Sequence, residues 1–121
     1  MFALTLTLNR NPQPGEQQVY KPEFNSVTNQ LTRDYVLVLM LPNETGNRRV
    51  LLIYGISTPG SQAAIEYLTN PERMAELRQV LLKISPDHET VPPYFQVLLS
   101  TTVENAVPGK SSLVALRAIA R

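Results

Sequence analysis

The stretch GISTPGS, residues 55–61, carries the side chains best suited to hold a ligand. It follows an apolar run and precedes a helical pattern, so a strand would end near Gly55 and a helix would begin near Thr58. The first amides of a helix have no partner within the helix, and the helix dipole favours negative charge at that end. The turn therefore predicts a site for a small anion such as a phosphate or a carboxylate.

Two kinds of residue in this turn would contact the ligand. Glycines would let it approach the backbone closely, and hydroxyls would donate hydrogen bonds. The predicted ligand-binding residues are Gly55, Ser57, Thr58, Gly60 and Ser61. The turn lacks the Lys of a P-loop, the spacing of a dinucleotide fingerprint and the G-x-S-x-G order of a nucleophile elbow. A capped strand-to-helix turn without any ligand is the alternative interpretation.

Catalytic chemistry has little support in this sequence. His88 is the only histidine, and no spacing supports a triad of Ser57, His88 and Asp87. None of the 10 Asp and Glu residues is marked by its spacing as one of an acid–base pair. We therefore predict no catalytic residue and favour a non-enzymatic domain, with a Ser57-dependent hydrolase as the lesser alternative.

Composition excludes further classes of function. Without cysteine and with one histidine, the chain lacks thiolates and most transition-metal ligands, so we predict no metal site and no cofactor. The same lack of cysteine fits a cytoplasmic protein. The 11 basic residues are scattered and the net charge is +1, so no nucleic-acid partner is expected. No apolar run reaches the roughly 18 residues of a membrane span, so no membrane partner is expected either.

The elements that position the turn follow from hydrophobic patterning. A length of 121 residues, 43% of them hydrophobic, indicates a single α/β domain over residues 1–121. The predicted order is β-β-β-α-α-β-β, a mixed, largely antiparallel sheet of about five strands with two helices, in two or three layers. The predicted strands are 2–8, 34–41, 50–55, 94–104 and 112–120, and the predicted helices are 59–69 and 71–84.

Local signals refine these boundaries. Thr58 and Asn70 are predicted helix caps, each followed by a proline at the first helical position. Residues 9–32 are predicted to be a long irregular connection. The runs 34–41 and 50–55 are apolar at nearly every position, which is typical of central strands covered on both faces. Residues 112–120 fit a strand or a short helix, and we favour a strand in a hairpin with 94–104.

Three stretches, NRNPQPGEQQVYKP, GISTPGSQAAIEYLT and PPYFQVLL, carry a resemblance over nearly the whole chain. Together they resemble the C-terminal part of an uncharacterised family of Rossmann-like bacterial domains, found mainly in soil bacteria such as acidobacteria. The corresponding positions are Asn11–Glu16, Gly55–Gly60 and Pro93–Leu99. The family has no known activity, so the resemblance names no catalytic residue. It implies a sensory or interaction half-domain, a fragment or C-terminal half of a larger domain.

Two functional hypotheses follow. The first is a non-enzymatic regulatory or sensory domain that binds a small anionic ligand at residues 55–61. The second is a homo-oligomerisation or protein-interaction module, for example a homodimer, because strands at the two ends of the chain would leave apolar edges uncovered.

Overall fold

Two α-helices lie on one face of an antiparallel sheet in this protein. The computed structural model describes residues 7–55 and 57–119. Their elements are β1 Thr7–Leu8, β2 Val19–Tyr20, β3 Glu23–Phe24, β4 Leu31–Pro42, β5 Arg49–Tyr54, α1 Thr58–Thr69, α2 Pro71–Ile84, β6 Phe95–Glu104 and β7 Val107–Ala118. Neither helix has the length and apolar content that crossing a bilayer requires.

The main sheet has five strands, and β4 lies at its centre. β6 runs along one side of β4, with β7 beyond it. β3 and β5 share the other side, because β3 pairs with the beginning of β4 and β5 pairs with Leu37–Pro42. β1 and β2 form a separate two-stranded sheet. Every pairing among the described strands is antiparallel.

The coarse prediction of an α/β domain with two helices and about five largely antiparallel strands is confirmed. The word "mixed" is not borne out within 7–55 and 57–119, where no parallel pair occurs. Of the predicted first strand, 2–8, only Thr7–Leu8 falls among the described residues. The short strands β2 and β3 lie inside the predicted loop 9–32, which lacks a long alternating pattern that could have signalled them.

The last hairpin is longer than predicted because its turn is tighter. Only Asn105 and Ala106 separate β6 from β7, and both have positive φ, 50° and 63°. A two-residue hairpin turn of this kind requires positive φ at both positions and matches the twist of its strands. Strand pairing therefore starts at Val107, well before residue 112, where the predicted last strand begins.

The two helices have nearly the predicted limits. Asn70 caps α2 as predicted, since its Oδ1 accepts hydrogen bonds from the amides of Glu72 and Arg73 at 2.9 and 3.1 Å. The predicted cap of α1 is wrong by one residue: Ser57, not Thr58, has the extended backbone and accepts from a first-turn amide. Thr58 is already helical, so its hydroxyl cannot take that position.

Alternation along β4 divides the sheet into two faces. Val36 and Val38 are fully buried beneath the helices, whereas Leu37 and Leu39 point to the opposite side and are half-buried. We call these the helix face and the open face. The core on the helix face consists of Val36, Val38, Ala64, Tyr67, Leu77, Leu81, Phe95, Val97 and Leu99.

The prediction that strands 34–41 and 50–55 are both central is half correct. β4 is central, but β5 is an edge strand that pairs only with β4. In the described part of the chain the helices cover one face of the sheet, so an apolar run along β4 did not require a helix layer on each side. Strand order and layer number depend on long-range pairing, which local hydrophobicity does not specify.

Candidate functional site

The predicted ligand-binding turn is built around a buried carboxyl group. Asp34, at the beginning of β4, is 1% exposed and lies beneath the N-terminus of α1. Its Oδ2 accepts a hydrogen bond from the Ser57 hydroxyl at 2.6 Å, and its Oδ1 accepts from the Tyr35 amide at 2.8 Å. Ser57 Oγ in turn accepts from the Gly60 amide at 3.0 Å. We call Asp34, Ser57 and Gly60 the capping cluster.

Several of the donors that an anion would need already have partners within the protein. The Gly60 amide bonds Ser57 Oγ, and the Ser61 amide bonds the Ser57 carbonyl oxygen at 3.1 Å. Pro59 has no N–H. Within the described residues, the Thr58 amide is among the donors of this turn that have no protein partner. Since a carboxyl oxygen also lies at this helix end, the geometry disfavours a further anion there.

Both glycines of the turn lie where a side chain would be crowded by neighbouring atoms. A Cβ at Gly60 would overlap Oδ2 of Asp34 and lie 2.9 Å from its Cγ. A Cβ at Gly55 would lie 3.2 Å from Ser61 Oγ and 3.3 Å from Val36 Cγ2. Internal crowding thus accounts for both glycines without a ligand. The structure does bring Gly55, Ser57, Gly60 and Ser61 together, while the Thr58 side chain is exposed.

Asp34 is the residue of this cluster that sequence reasoning missed. Its spacing marks no acid–base partner, as for the other Asp and Glu residues of the sequence. Its position held a usable signal, because period two places Asp34 on the same face as Val36 and Val38. A carboxyl group on a buried face needs hydrogen-bond donors, which are the Tyr35 amide and the Ser57 hydroxyl here.

The hydrolase alternative gains no supporting contact. Ser57 Oγ donates to Asp34 and accepts from Gly60, so it acts as a helix cap. His88 lies beyond the end of α2, exposed, with Nδ1 3.3 Å from the Leu82 carbonyl oxygen. Asp87 accepts from two following amides and from Ser85, and these bonds hold the pKa of Asp87 below its usual range. A Ser57-dependent hydrolase stays a prediction.

A second candidate region lies on the open face, beneath residues 9–20, which we call the N-terminal arm. Glu16 organises this arm by accepting hydrogen bonds from the Asn9 side chain at 2.9 Å and the Gln13 amide at 3.1 Å. Arg117 of β7 donates to both oxygens of Glu16. The bonds from Arg117 are the main reason that the pKa of Glu16 falls to about 2.

The arm has two further contacts with the sheet. Arg117 also donates to the Asn11 carbonyl oxygen at 3.2 Å. The rings of Tyr20 and Tyr35 lie with their centroids 5.2 Å apart, tilted by 57°. The arm is therefore fixed to β4 at one point and to β7 at another, and it crosses the open face between them.

A cavity of about 470 Å³ lies between the arm and the sheet. Leu37, Leu98 and Ala115 form one row across β4, β6 and β7, since they are direct partners in strand register. Gln96 and Arg117 belong to the adjacent row and are partners of each other. The floor of the cavity is thus apolar on one side and polar on the other.

The open face along β4 and β5 carries apolar side chains, beginning with Leu37 at the border of the cavity. Three cross-strand pairs define what we call the apolar patch: Leu37 with Tyr54, Leu39 with Leu52, and Leu41 with Val50. Tyr54 is 55% exposed and Val50 is 38% exposed. The other four side chains are half-buried. The helices contact the sheet through its helix face, so they leave this patch uncovered.

In residues 7–55 and 57–119, no three His, Cys, Asp or Glu side chains are grouped so that they could hold a metal ion.

The resemblance to a Rossmann-like bacterial family stays a prediction. Comparison of the chain with protein-family models, with curated proteins and with solved structures found no match.

Proposed function

We propose that this domain is a non-enzymatic interaction module that forms a homodimer through the apolar patch. The observation that supports the proposal is the set of three apolar cross-strand pairs on a sheet face that neither α1 nor α2 covers. Contiguous apolar patches that reach the surface are often binding surfaces.

The driving force is burial of apolar surface. Removing such surface from water contributes about 25 cal/mol per Å². Tyr54 and Val50 have the most to gain because they are the most exposed members of the patch. Aromatic side chains at an interface often contribute more than their neighbours, so Tyr54 is the expected anchor.

A second copy of the chain is a suitable partner because the patch carries no charge. In a two-fold symmetric dimer the same surface faces itself, so any charged side chain at its centre would oppose a like charge. The six patch residues are Leu, Val and Tyr, which meet this condition. A strongly charged partner would be bound through charged groups, and the patch has none.

Sedimentation equilibrium over a range of protein concentrations tests this proposal. We expect the wild type to dimerise reversibly. The dissociation constant of the Tyr54→Lys dimer should be at least about tenfold higher, since a charge would be buried against its symmetry mate. Ile65→Lys is the matched control, because Ile65 is an equally exposed apolar residue, 53%, on α1.

Two results would contradict the homodimer. One is a wild type that remains monomeric at every concentration. The other is equal weakening of the dimer by Tyr54→Lys and Ile65→Lys, which would indicate a different surface or a general effect of added charge.

Binding of a small anion at residues 55–61 remains a second proposal, supported by the free Thr58 amide and by the hydroxyls of the turn. Calorimetric titration with a panel of nucleotides and phosphosugars tests it, and absence of heat from folded protein would count against it.

We also propose a cytoplasmic location, on the ground that the sequence contains no cysteine.

A further inference from the structure

We propose that the cavity beneath the N-terminal arm binds a small carboxylic acid with an apolar body. This site adjoins the apolar patch, with which it shares Leu37, and is separate from the turn at residues 55–61. The acid would place its apolar body on the row formed by Leu37, Leu98 and Ala115, and its carboxylate toward Arg10 and Gln96.

The size and floor of the cavity suit such a molecule. Its volume of about 470 Å³ lies within the roughly 300–1,000 Å³ typical of small-molecule pockets. Leu98 and Ala115 come from adjacent strands and are in direct register, so they form a continuous apolar surface. Ligand pockets generally combine such a surface with a few polar groups that fix orientation.

The polar groups around this floor favour an anionic head. Among the described lining residues there is no Asp or Glu, and the polar side chains other than the Tyr20 hydroxyl are amides and guanidinium groups. These are Asn9, Arg10, Asn11, Gln96 and Arg117. A cationic ligand would meet like charge here and find no carboxylate, whereas a carboxylate would find several N–H donors.

Arg10 and Gln96 are the donors that remain available. Arg117 already bonds Glu16 and the Asn11 carbonyl, so its charge is largely compensated. Arg10 is exposed and takes part in no ion pair within the described part of the chain. The side-chain amide of Gln96, on the floor of the cavity, likewise has no hydrogen-bond partner among the described residues. A charge-assisted hydrogen bond from Arg10 to the ligand would therefore replace bonds to water without breaking an ion pair in the described part of the protein.

Amide chemical shifts recorded during titration test the proposal with three probes of matched design. Octanoate has both head and tail, 1-octanol lacks the charge, and acetate lacks the tail. We expect octanoate to bind at least about tenfold more tightly than either control, because hydrogen bonds to charged groups add to apolar burial. The affected amides should include those of Leu98, Ala115 and Arg117.

Two variants test where the carboxylate head and the apolar tail of the ligand bind. Arg10→Gln should weaken octanoate by about tenfold and leave 1-octanol unchanged, while Arg78→Gln, an exposed arginine on α2, serves as the control. Ala115→Phe should fill the cavity and remove binding of both. Titration of Tyr54→Lys in parallel separates this site from the homodimer, since that variant should still bind octanoate.

The proposal is overturned by any of three results. The first is no binding of octanoate to folded protein. The second is equal affinity for octanoate and 1-octanol, or equal effects of Arg10→Gln and Arg78→Gln. The third is shift changes confined to residues 55–61, which would instead support anion binding at the turn.

Discussion

The two faces of the sheet are built from the same strands and differ in what covers them. On the helix face, β4 contributes Val36 and Val38, both fully buried against residues of α1 and α2. On the open face it contributes Leu37, Leu39 and Leu41, which are half-buried. The apolar side chains on the two sides are similar, so their different burial comes from the placement of the helices.

The polar groups of the two faces differ in the same way. Asp34, on the helix face, has hydrogen-bond partners for both of its oxygens. On the open face, Arg10 and Gln96 have none among the described residues. On the helix face, the buried carboxyl group already has its hydrogen-bond partners within the protein. The open face has exposed apolar surface and hydrogen-bond donors without such partners. This difference is why we place both proposed binding sites on the open face.

The largest expected effect comes from truncating one leucine on each face. Leu99→Ala should lower the free energy of unfolding by about 2–5 kcal/mol, because Leu99 is fully buried among core side chains. Leu39→Ala should cost less than about 1.5 kcal/mol, since Leu39 is only partly buried. Urea unfolding at low protein concentration, where dimers dissociate, measures both. Equal losses would refute the distinction between the faces.

The capping cluster gives the next largest effect. Asp34→Ala should lower the free energy of unfolding by about 1–3 kcal/mol, because the Tyr35 amide and the Ser57 hydroxyl lose their acceptor in a buried place. Thermal and urea unfolding measure the loss. Asp87→Ala is a control, since Asp87 also accepts several hydrogen bonds but lies in an exposed loop, and its loss should be smaller.

Gly60→Ala, combined with Asp34→Ala, tests the contact between these two residues. The added Cβ would overlap Asp34, so the single variant should lose about 1–3 kcal/mol. In the double variant Asp34→Ala with Gly60→Ala, the obstructing carboxyl group is gone. The double loss should therefore be smaller than the sum of the single losses. Simple additivity in a double-mutant cycle would show that Gly60 is not constrained by Asp34.

The smallest effect concerns the arm and depends on pH. The pKa of Glu16 is about 2 in the folded protein against an ordinary value of 4.5, so its contribution to stability is present above pH 4.5. It is lost as pH falls from 4.5 to about 2. Its expected size is about 1–2 kcal/mol, the range for charged hydrogen bonds near a surface.

Glu16→Gln is the variant that checks this pH dependence. Its stability should be lower than that of the wild type at neutral pH, and the difference should shrink on acidification through that window. Glu76→Gln is the control, because Glu76 forms an exposed ion pair with Arg73 on α2. A wild-type-to-variant difference for Glu16 that stays constant with pH would show that the Arg117 contact does not lower the Glu16 pKa.

Features set by local chemistry were predictable from the sequence. Both helices followed from their apolar spacing and from prolines at their first turns, and Asn70 was correctly identified as a cap. The runs that became β4, β5 and β6 were also identified. At α1, however, Ser57 and Thr58 are both good capping residues, and only the position of Asp34 beneath Ser57 distinguishes them.

Features set by contacts distant in sequence were not predictable in this way. Asp34 and Ser57 are 23 residues apart, and Glu16 and Arg117 are 101 residues apart. The cavity depends on the second of these pairs, because it exists only where the arm crosses the sheet. The edge position of β5 likewise depends on which side of β4 each strand joins. A pattern read over ten or so residues carries no such information.

The account depends most on the open face being the surface that associates. Amide chemical shifts of the wild type, recorded while its concentration is raised, test this directly. We predict concentration-dependent shifts along β4 and β5, at residues such as Leu39, Leu41, Val50 and Leu52, with little change in α1 and α2. Shifts concentrated on the helices, or none at any concentration, would contradict the account.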